Sequence, residues 1–317
     1  MARPIVAPRR DRGRLTHAAR AVATLAMLVA LPVLAHDSPE HEVVRWTAAI
    51  ELRGPSAERF YRRAGAYREL GKLERSAADL EAALRMDASF VSARIELARV
   101  QRSRGNLDAA LAAIEPAIAQ TSDTFRLPPL WMIRAEILAD RGQLADALAD
   151  CQRALERSSD QVDWYLTRAE IQRKLGRAEQ RVAGLAVGYE RTGSIVLKIE
   201  WIEALIDAGQ AQAAIGPIDE ELADCRWKSS WLLRRGRARG ALGERAAAAA
   251  DLHAAIAEID ERLSPDEPDP SLLADRGLAW ALLGDRVAGQ RDLACARQRR
   301  AEPWMIQRLA AALGEAN

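Results

Sequence analysis

The sequence predicts an all-α protein built from repeated helical hairpins, and three observations support this prediction. The first is a set of glycines that recur every 33 to 41 residues: Gly71, Gly105, Gly142, Gly176, Gly209, Gly243 and Gly284. A period of this size is typical of stacked-repeat proteins. The second is that each glycine lies between two short helical patterns, where a tight turn requires a residue that tolerates positive φ.

The third observation is that small residues recur at fixed offsets from these glycines. Seven positions before the glycine stand Ala64, Ala98, Ala135, Ala169, Ile202, Gly236 and Gly277. Five positions after it stand Ser76, Ala110, Ala147, Arg181, Ala214, Ala248 and Gly289. Twelve positions after it stand Ala83, Ala117, Ala154, Gly188, Glu221, Ala255 and Ala296. Small residues let two crossing helices approach closely, so these offsets mark the packed face of each hairpin.

The offsets resemble the pattern of the tetratricopeptide repeat (TPR) family. The first repeat matches through Phe60, Ala64, Tyr67, Gly71, Ser76, Leu80, Ala83 and Asp87. The third matches through Trp131, Ala135, Gly142, Ala147 and Ala154. The resemblance covers roughly residues 40–302 and implies a right-handed α-solenoid of about seven TPR-like hairpins. Arg181 and Glu221 replace small residues, so less regular stacking is expected in the fourth and fifth repeats.

The period also sets the boundaries of the predicted parts. An N-terminal half-repeat at 36–56 and a capping helix at 303–317 should cover the two ends of the stack. In the capping helix, Met305, Leu309 and Leu313 are expected to cover the apolar face of the last repeat. The seven repeats between these ends are predicted at 57–90, 91–124, 128–161, 162–194, 195–228, 229–262 and 270–302.

Residues 1–35 are predicted to be a secretory signal peptide. Six arginines and one aspartate precede an apolar run from Ala21 to Ala35. Val33 and Ala35 place small residues at the −3 and −1 positions before His36, which completes the order of a cleavable signal. The apolar run has 15 residues, fewer than a spanning helix requires, and an uncleaved anchor is the alternative. An exported protein, periplasmic or extracellular, is therefore expected.

Charge and cysteine content exclude some classes of function. Cleavage at His36 would change the formal net charge from +1 to about −4, which gives no basic surface for nucleic acid. Cys151 and Cys295 are too far apart in a stack of repeats to pair. The three cysteines, Cys225 included, are expected to be small buried hydrophobes.

The sequence gives no catalytic constellation, so a non-enzymatic protein without a cofactor is expected. After residue 35 the chain has only three histidines, His36, His41 and His253, and no arrangement typical of nucleophilic or metal-assisted catalysis. One alternative remains. Cleavage before His36 would place its amine and ring near His41, and three nitrogen ligands suit copper. The competing interpretation is a polar lead-in whose Asp37 or Ser38 caps the first helix.

The tryptophans are interpreted mainly as structural. Trp46, Trp131 and Trp164 lie at helix positions where large side chains pack, and these three are predicted to be in the core. Other tryptophans are harder to assign, and some of them could line a binding groove. These are Trp201, Trp227, Trp231 and Trp280.

The TPR resemblance implies that the first helix of each hairpin lines a concave binding face. The residues at groove-facing offsets are Tyr61, Arg68, Arg99, Arg102, Glu136, Asp140, Glu170, Arg173, Lys174, Glu203 and Asp207. Such a mixed lining suits a peptide or protein with alternating charge. The groove asparagines with which the family clamps C-terminal carboxylates are missing, since Asn106 and Asn317 lie elsewhere. The leading hypothesis is therefore a protein-binding scaffold of the cell envelope, with the copper-like site as the alternative.

Overall fold

The computed structural model describes residues 38–264 and 266–315, and every regular element within them is an α-helix. The predicted all-α fold is confirmed. The predicted signal peptide, His36 and Asn317 lie outside the described residues. The chain divides into two compact units, the first ending at Arg104 and the second beginning at Gly105. This boundary falls at the turn of the predicted second repeat.

The helices follow one another with short turns. The first unit contains α1 Pro39–Arg53, α2 Ala57–Glu69, α3 Leu73–Met86 and α4 Val91–Ser103. The second unit begins with α5 Leu107–Gln120, α6 Leu127–Asp140, α7 Leu144–Arg157, α8 Val162–Lys174, α9 Ala178–Thr192 and α10 Ile195–Asp207. It continues with α11 Ala211–Asp224, α12 Ser229–Ala241, α13 Arg245–Arg262, α14 Pro270–Leu283, α15 Arg286–Gln298 and α16 Pro303–Ala312. None of these described helices combines the length and apolar character needed to cross a bilayer.

The repeat glycines end the first helix of each hairpin as predicted. All seven have positive φ, between 67° and 91°. At Gly71 the backbone N–H donates to the Arg68 carbonyl at 2.9 Å, and that of Lys72 donates to the Tyr67 carbonyl at 2.8 Å. These bonds satisfy carbonyls that the helix end would leave unpaired. The glycine therefore fixes both the end of one helix and the start of the next.

The small residues lie where the two helices of a hairpin meet. Ala64, Ala83, Ala135, Ala147 and Ala154 are all fully buried. In the first repeat, the small position held by Ser76 is also buried, and its hydroxyl donates to the Ala64 carbonyl at 2.8 Å. Close helix approach therefore rests on the residues predicted for it.

At one position each, the fourth and fifth repeats replace a small residue with a charged residue that forms an ion pair. Arg181 on α9 reaches Glu200 at 3.5 Å and Asp207 at 3.3 Å, both on α10. Glu221 on α11 accepts from the buried ammonium of Lys198 at 2.7 Å. These charged residues occupy the positions at which the pattern departs from the family. Each departure therefore has a partner on a neighbouring helix.

A buried ion pair recurs inside the hairpins, and we call it the hairpin pair. It joins an arginine eight positions before the repeat glycine to an aspartate eight positions after it. The four such pairs are Arg63–Asp79, Arg134–Asp150, Arg235–Asp251 and Arg276–Asp292, each with two bonds of 2.6 to 3.0 Å. The aspartates are at least nine-tenths buried. Bidentate geometry of this kind ties the second helix of a hairpin to the first.

Two hairpin arginines also bind a second carboxylate. Arg235 donates to Asp219 at 2.7 Å, and Arg276 donates to Asp260 at 2.6 Å. Each of these aspartates lies sixteen positions before its arginine, on the second helix of the preceding repeat. The hydrogen bonds to their aspartates raise the pKa of both arginines. The same guanidinium therefore links one hairpin to the next.

The prediction that Trp46, Trp131 and Trp164 are core residues is wrong, because all three side chains are only partly buried. Trp231 is 6% exposed and belongs to a core cluster of the second unit, with Tyr165, Leu197 and Ile218. The helical period gives the face of a helix but not how far a large ring is covered by the next hairpin.

The C-terminal helix closes the apolar face of the last repeat. Leu309 and Leu313 are fully buried and pack with Leu278 and Leu293 of α14 and α15. Met305 is 9% exposed and packs near Leu273. The three side chains predicted to cover the seventh repeat are therefore in contact with it.

Candidate functional site

A pocket of about 560 Å³ opens in the first unit between α1, α2 and α4. Trp46 and Tyr61 contribute aromatic surface, and Arg68 and Glu96 contribute opposite charges. The indole of Trp46 donates to Glu42 at 2.6 Å, which holds the ring in place. The Tyr61 ring packs against Phe90 at 5.0 Å between centroids. The pocket therefore combines fixed aromatic rings with charges of both signs.

Two of the predicted groove arginines lie beside the same carboxylate, which was not among the residues predicted from the sequence. Glu96 on α4 pairs with Arg68 of α2 and lies 3.9 Å from Arg99. The Glu96 side chain is 12% exposed, whereas Arg68 and Arg99 are about half exposed, at 48% and 58%. Arg102 lies on the same helix as Arg99. The carboxylate offsets repulsion between the guanidiniums and leaves them accessible to a partner.

The predicted groove residues of α6 and α8 lie in the second unit. Glu136 and Asp140 are on α6. On α8, Arg173 donates twice to Glu170 at 2.7 Å, and Lys174 lies 3.9 Å from the same carboxylate. Through hydrogen bonds, Arg173 holds the pKa of Glu170 below its ordinary value. These groups are about half exposed, so they form a hydrated charged surface.

Glu203 of α10 does not lie on an open groove. Its side chain is 12% exposed and is surrounded by Arg234, Arg237 and Arg308. Arg308 comes from α16 and bonds to Glu203 at 3.1 Å across 105 positions of sequence. Asp207 is more exposed, at 53%, and lies 3.6 Å from Arg237. Glu203 therefore serves mainly to hold α10, α12 and α16 together.

A second carboxylate, Asp275 on α14, lies in the electrostatic field of this cluster. Burial raises its pKa to about 6, against the opposing effect of Arg234. Glu203 acts in the same direction as burial, because like charges disfavour ionisation. The raised pKa makes the charge of Asp275 beside this cluster dependent on pH.

The described residues give no support to the copper-like site. His41 lies in the first turn of α1, where its backbone N–H donates to the Ser38 hydroxyl at 3.4 Å. Ser38 thus caps the helix, as the competing interpretation predicts, while His36 falls outside the described residues. No group of three or more potential ligands is found within 38–264 and 266–315. The metal hypothesis stays an untested prediction.

Comparisons with known proteins agree with the repeat architecture. Residues 57–90 match the family model described as tetratricopeptide repeat. A tetratricopeptide repeat protein from Parabacteroides merdae is 17% identical, with a TM-score of 0.56 over 81% of this chain and 98% of that one. The C-terminal part of a TPR repeat-containing protein from Cytophaga hutchinsonii is 14% identical, with a TM-score of 0.58 over 78% and 99%. At these identities the likeness concerns the fold alone. No curated protein matches this chain.

Proposed function

We propose that this chain, a tetratricopeptide-repeat protein, is a non-enzymatic scaffold that binds a peptide or protein partner through the α2 and α4 face of its first unit. Proteins with this architecture present side chains from successive hairpins to a partner. The observation that carries the proposal is the pocket beside the Arg68–Glu96–Arg99 cluster. It joins two aromatic rings to half-exposed guanidiniums, which is the composition of an interaction hot spot.

The second unit is a weaker candidate for the same role. Its predicted groove carboxylate Glu203 is enclosed by three arginines, and a partner would have to displace them. Breaking such pairs removes compensation from buried charges and is costly. The first unit requires no such rearrangement, because Arg99 is 58% exposed. A partner segment with acidic side chains beside an apolar one matches that surface best.

A pulldown from the envelope fraction, followed by binding kinetics with the captured partner, tests the assignment. Charge reversal of Arg99 and Arg102 to glutamate should slow association and weaken its dependence on salt, since exposed charges act mainly on encounter. Arg85→Glu on α3 is the matched control, because Arg85 is exposed and does not line the pocket. The control should bind as the parent does.

Two outcomes would contradict the proposal. If the double variant keeps its helical circular dichroism and binds its partner with unchanged kinetics, the binding surface lies elsewhere. If it unfolds while Arg85→Glu does not, the two arginines are structural, and the face has been assigned wrongly.

We further propose that the protein is exported to the periplasm or the cell exterior. The support is the basic, apolar and small-residue order of residues 1–35. Mass spectrometry of the protein purified from its own cells should find His36 as the first residue. An intact N-terminal segment on a cytosolic species would overturn this proposal and leave the binding proposal standing.

A further inference from the structure

The fourth repeat keeps the arginine of the hairpin pair but neither of its carboxylates. Arg168 lies eight positions before Gly176, as Arg235 lies before Gly243. Sixteen positions after Arg168 the chain has Gly184, and sixteen positions before it stands Gln152. In the sixth repeat, the same two positions are aspartates that bind Arg235 from both sides.

The guanidinium of Arg168 has few partners of its own. One Nη donates to the Gly184 carbonyl at 2.8 Å, and the guanidinium lies 5.1 Å from the centre of the Tyr165 ring. Its Nε is buried and has no hydrogen-bond partner in the part of the chain that the structure describes. Burial lowers the pKa of Arg168, and the like charge of Arg191 acts in the same direction. Arg168 is therefore a cation whose usual counter-charge is missing.

Arg168 is among the residues that line an open pocket. This pocket, the Arg168 pocket, has a volume of about 470 Å³ and lies between α7, α8 and α9. Gln152, Tyr165 and Arg191 line it, together with Val187, which is 40% exposed. Glu156 also lines it. Two guanidiniums, an amide, one carboxylate and apolar side chains thus share one concavity.

We propose that the Arg168 pocket binds a carboxylate supplied by another molecule, which takes the place that Asp150 and Asp251 hold in the third and sixth repeats. Those repeats act as internal templates, because each shows a planar carboxylate docked on the same fork of nitrogens at 2.6 to 3.0 Å. The pocket is large enough for a dicarboxylic acid or for the side chain of one acidic residue. It lies in the second unit, so it is separate from the α2 and α4 face.

Isothermal titration of the full chain with glutarate, against chloride at matched ionic strength, tests the site. The parent should bind glutarate, and Arg168→Gln should weaken binding by about ten- to a hundredfold, the range for losing a charge-assisted hydrogen bond. Arg157→Gln is the matched control, because Arg157 is an exposed arginine of α7 outside the pocket lining, and it should bind as the parent does.

Restoring an internal carboxylate gives the decisive comparison. Gly184→Asp recreates the hairpin pair, so this variant should lose glutarate binding and melt at a higher temperature than the parent. A Cβ at residue 184 would lie 2.7 Å from an Arg168 nitrogen, so Arg168 must turn aside. Gln152→Asp is the second variant, since that side chain is exposed, and it should also lose binding.

The results separate the outcomes. Absence of glutarate binding to the parent, or equal binding by the parent, Arg168→Gln and Gln152→Asp, overturns the proposal. A capped Gly-Glu-Gly peptide that binds more tightly than glutarate, with the Gly-Gln-Gly peptide inactive, identifies the source as an acidic side chain of a polypeptide. Tighter binding of glutarate identifies a free organic acid.

Discussion

Replacing both members of the Arg134–Asp150 hairpin pair should cost much less stability than the two single replacements together. The second repeat suggests why, because it has Leu97 and Ala113 at the equivalent positions, and both are buried. Apolar residues at both positions are therefore compatible with a hairpin of this repeat type. A lone charge at either position is not, because it would be buried without its counter-charge.

The magnitudes follow from burial. The Asp150 side chain is 3% exposed, and Arg134→Leu would leave it with Arg153 at 3.3 Å as its remaining partner. Arg134 is 22% exposed, so Asp150→Ala leaves a guanidinium that can only partly reach water. Each single change should cost about 3 kcal/mol, the lower end for breaking a buried pair. The double change should cost about 2 kcal/mol for imperfect packing, instead of the additive 6 kcal/mol or so.

Urea unfolding followed by circular dichroism gives the four free energies of the cycle, and hydrogen exchange on α6 and α7 reports the local effect. Exchange matters because repeat proteins with two units need not unfold in one step. The exposed pair Arg62–Glu58 is the control, with side chains 58% and 53% exposed. Its single and double replacements should each change stability by less than about 1 kcal/mol. A double Arg134–Asp150 variant whose cost equals the sum of the singles would refute the reasoning.

Two further predictions concern packing and pH. Ala147 is fully buried on α7, so Ala147→Leu should cost about 1–3 kcal/mol through overpacking, with faster hydrogen exchange first in α6 and α7; equal acceleration at Ala64 of the first unit would contradict this. Asp275 has a pKa of about 6 in the folded chain against 3.8 ordinarily, so the folded state binds more protons and the parent should lose stability as pH rises from about 4 to 6. Asp275→Asn should lose less stability over this range. Melting temperatures of the parent and the variant that change equally between pH 4 and 6 would show that the pKa of Asp275 is not raised.

The turns and the hairpin interfaces could be predicted from the sequence, because both depend on residues that are close together in the chain. A repeat glycine such as Gly71 is required by its own φ of 67°, and Ala64 by the helix directly opposite. The hairpin pairs could also have been predicted, because four of the glycines lie midway between an arginine and an aspartate that are sixteen positions apart. They are easily mistaken for solvated charges, because a charged residue on an amphipathic helix usually faces water.

The contacts that could not be predicted from the sequence join residues that are far apart in the chain. Glu203 and Arg308 are 105 positions apart, and no spacing in the sequence relates them. Their approach depends on how α16 packs on α14 and how α12 packs beside α10, which is set by many side chains at once. The same reason explains why the identity of Trp231 as the deeply buried tryptophan was not foreseen.

Substitution at the two hairpin positions follows a physical rule inside this one chain. Four repeats have arginine with aspartate, the second has Leu97 with Ala113, and the fifth has Trp201 with Pro217. Both partners change together, as expected where a lone buried charge costs several kcal/mol, on the order of the net stability that a whole repeat contributes. The fourth repeat breaks the rule with Arg168 and Gly184. Its Arg168 also lines a pocket of about 470 Å³. A charge that is retained without its internal partner, in a side chain that lines a pocket, is better explained by a partner outside the chain than by the stability of the hairpin.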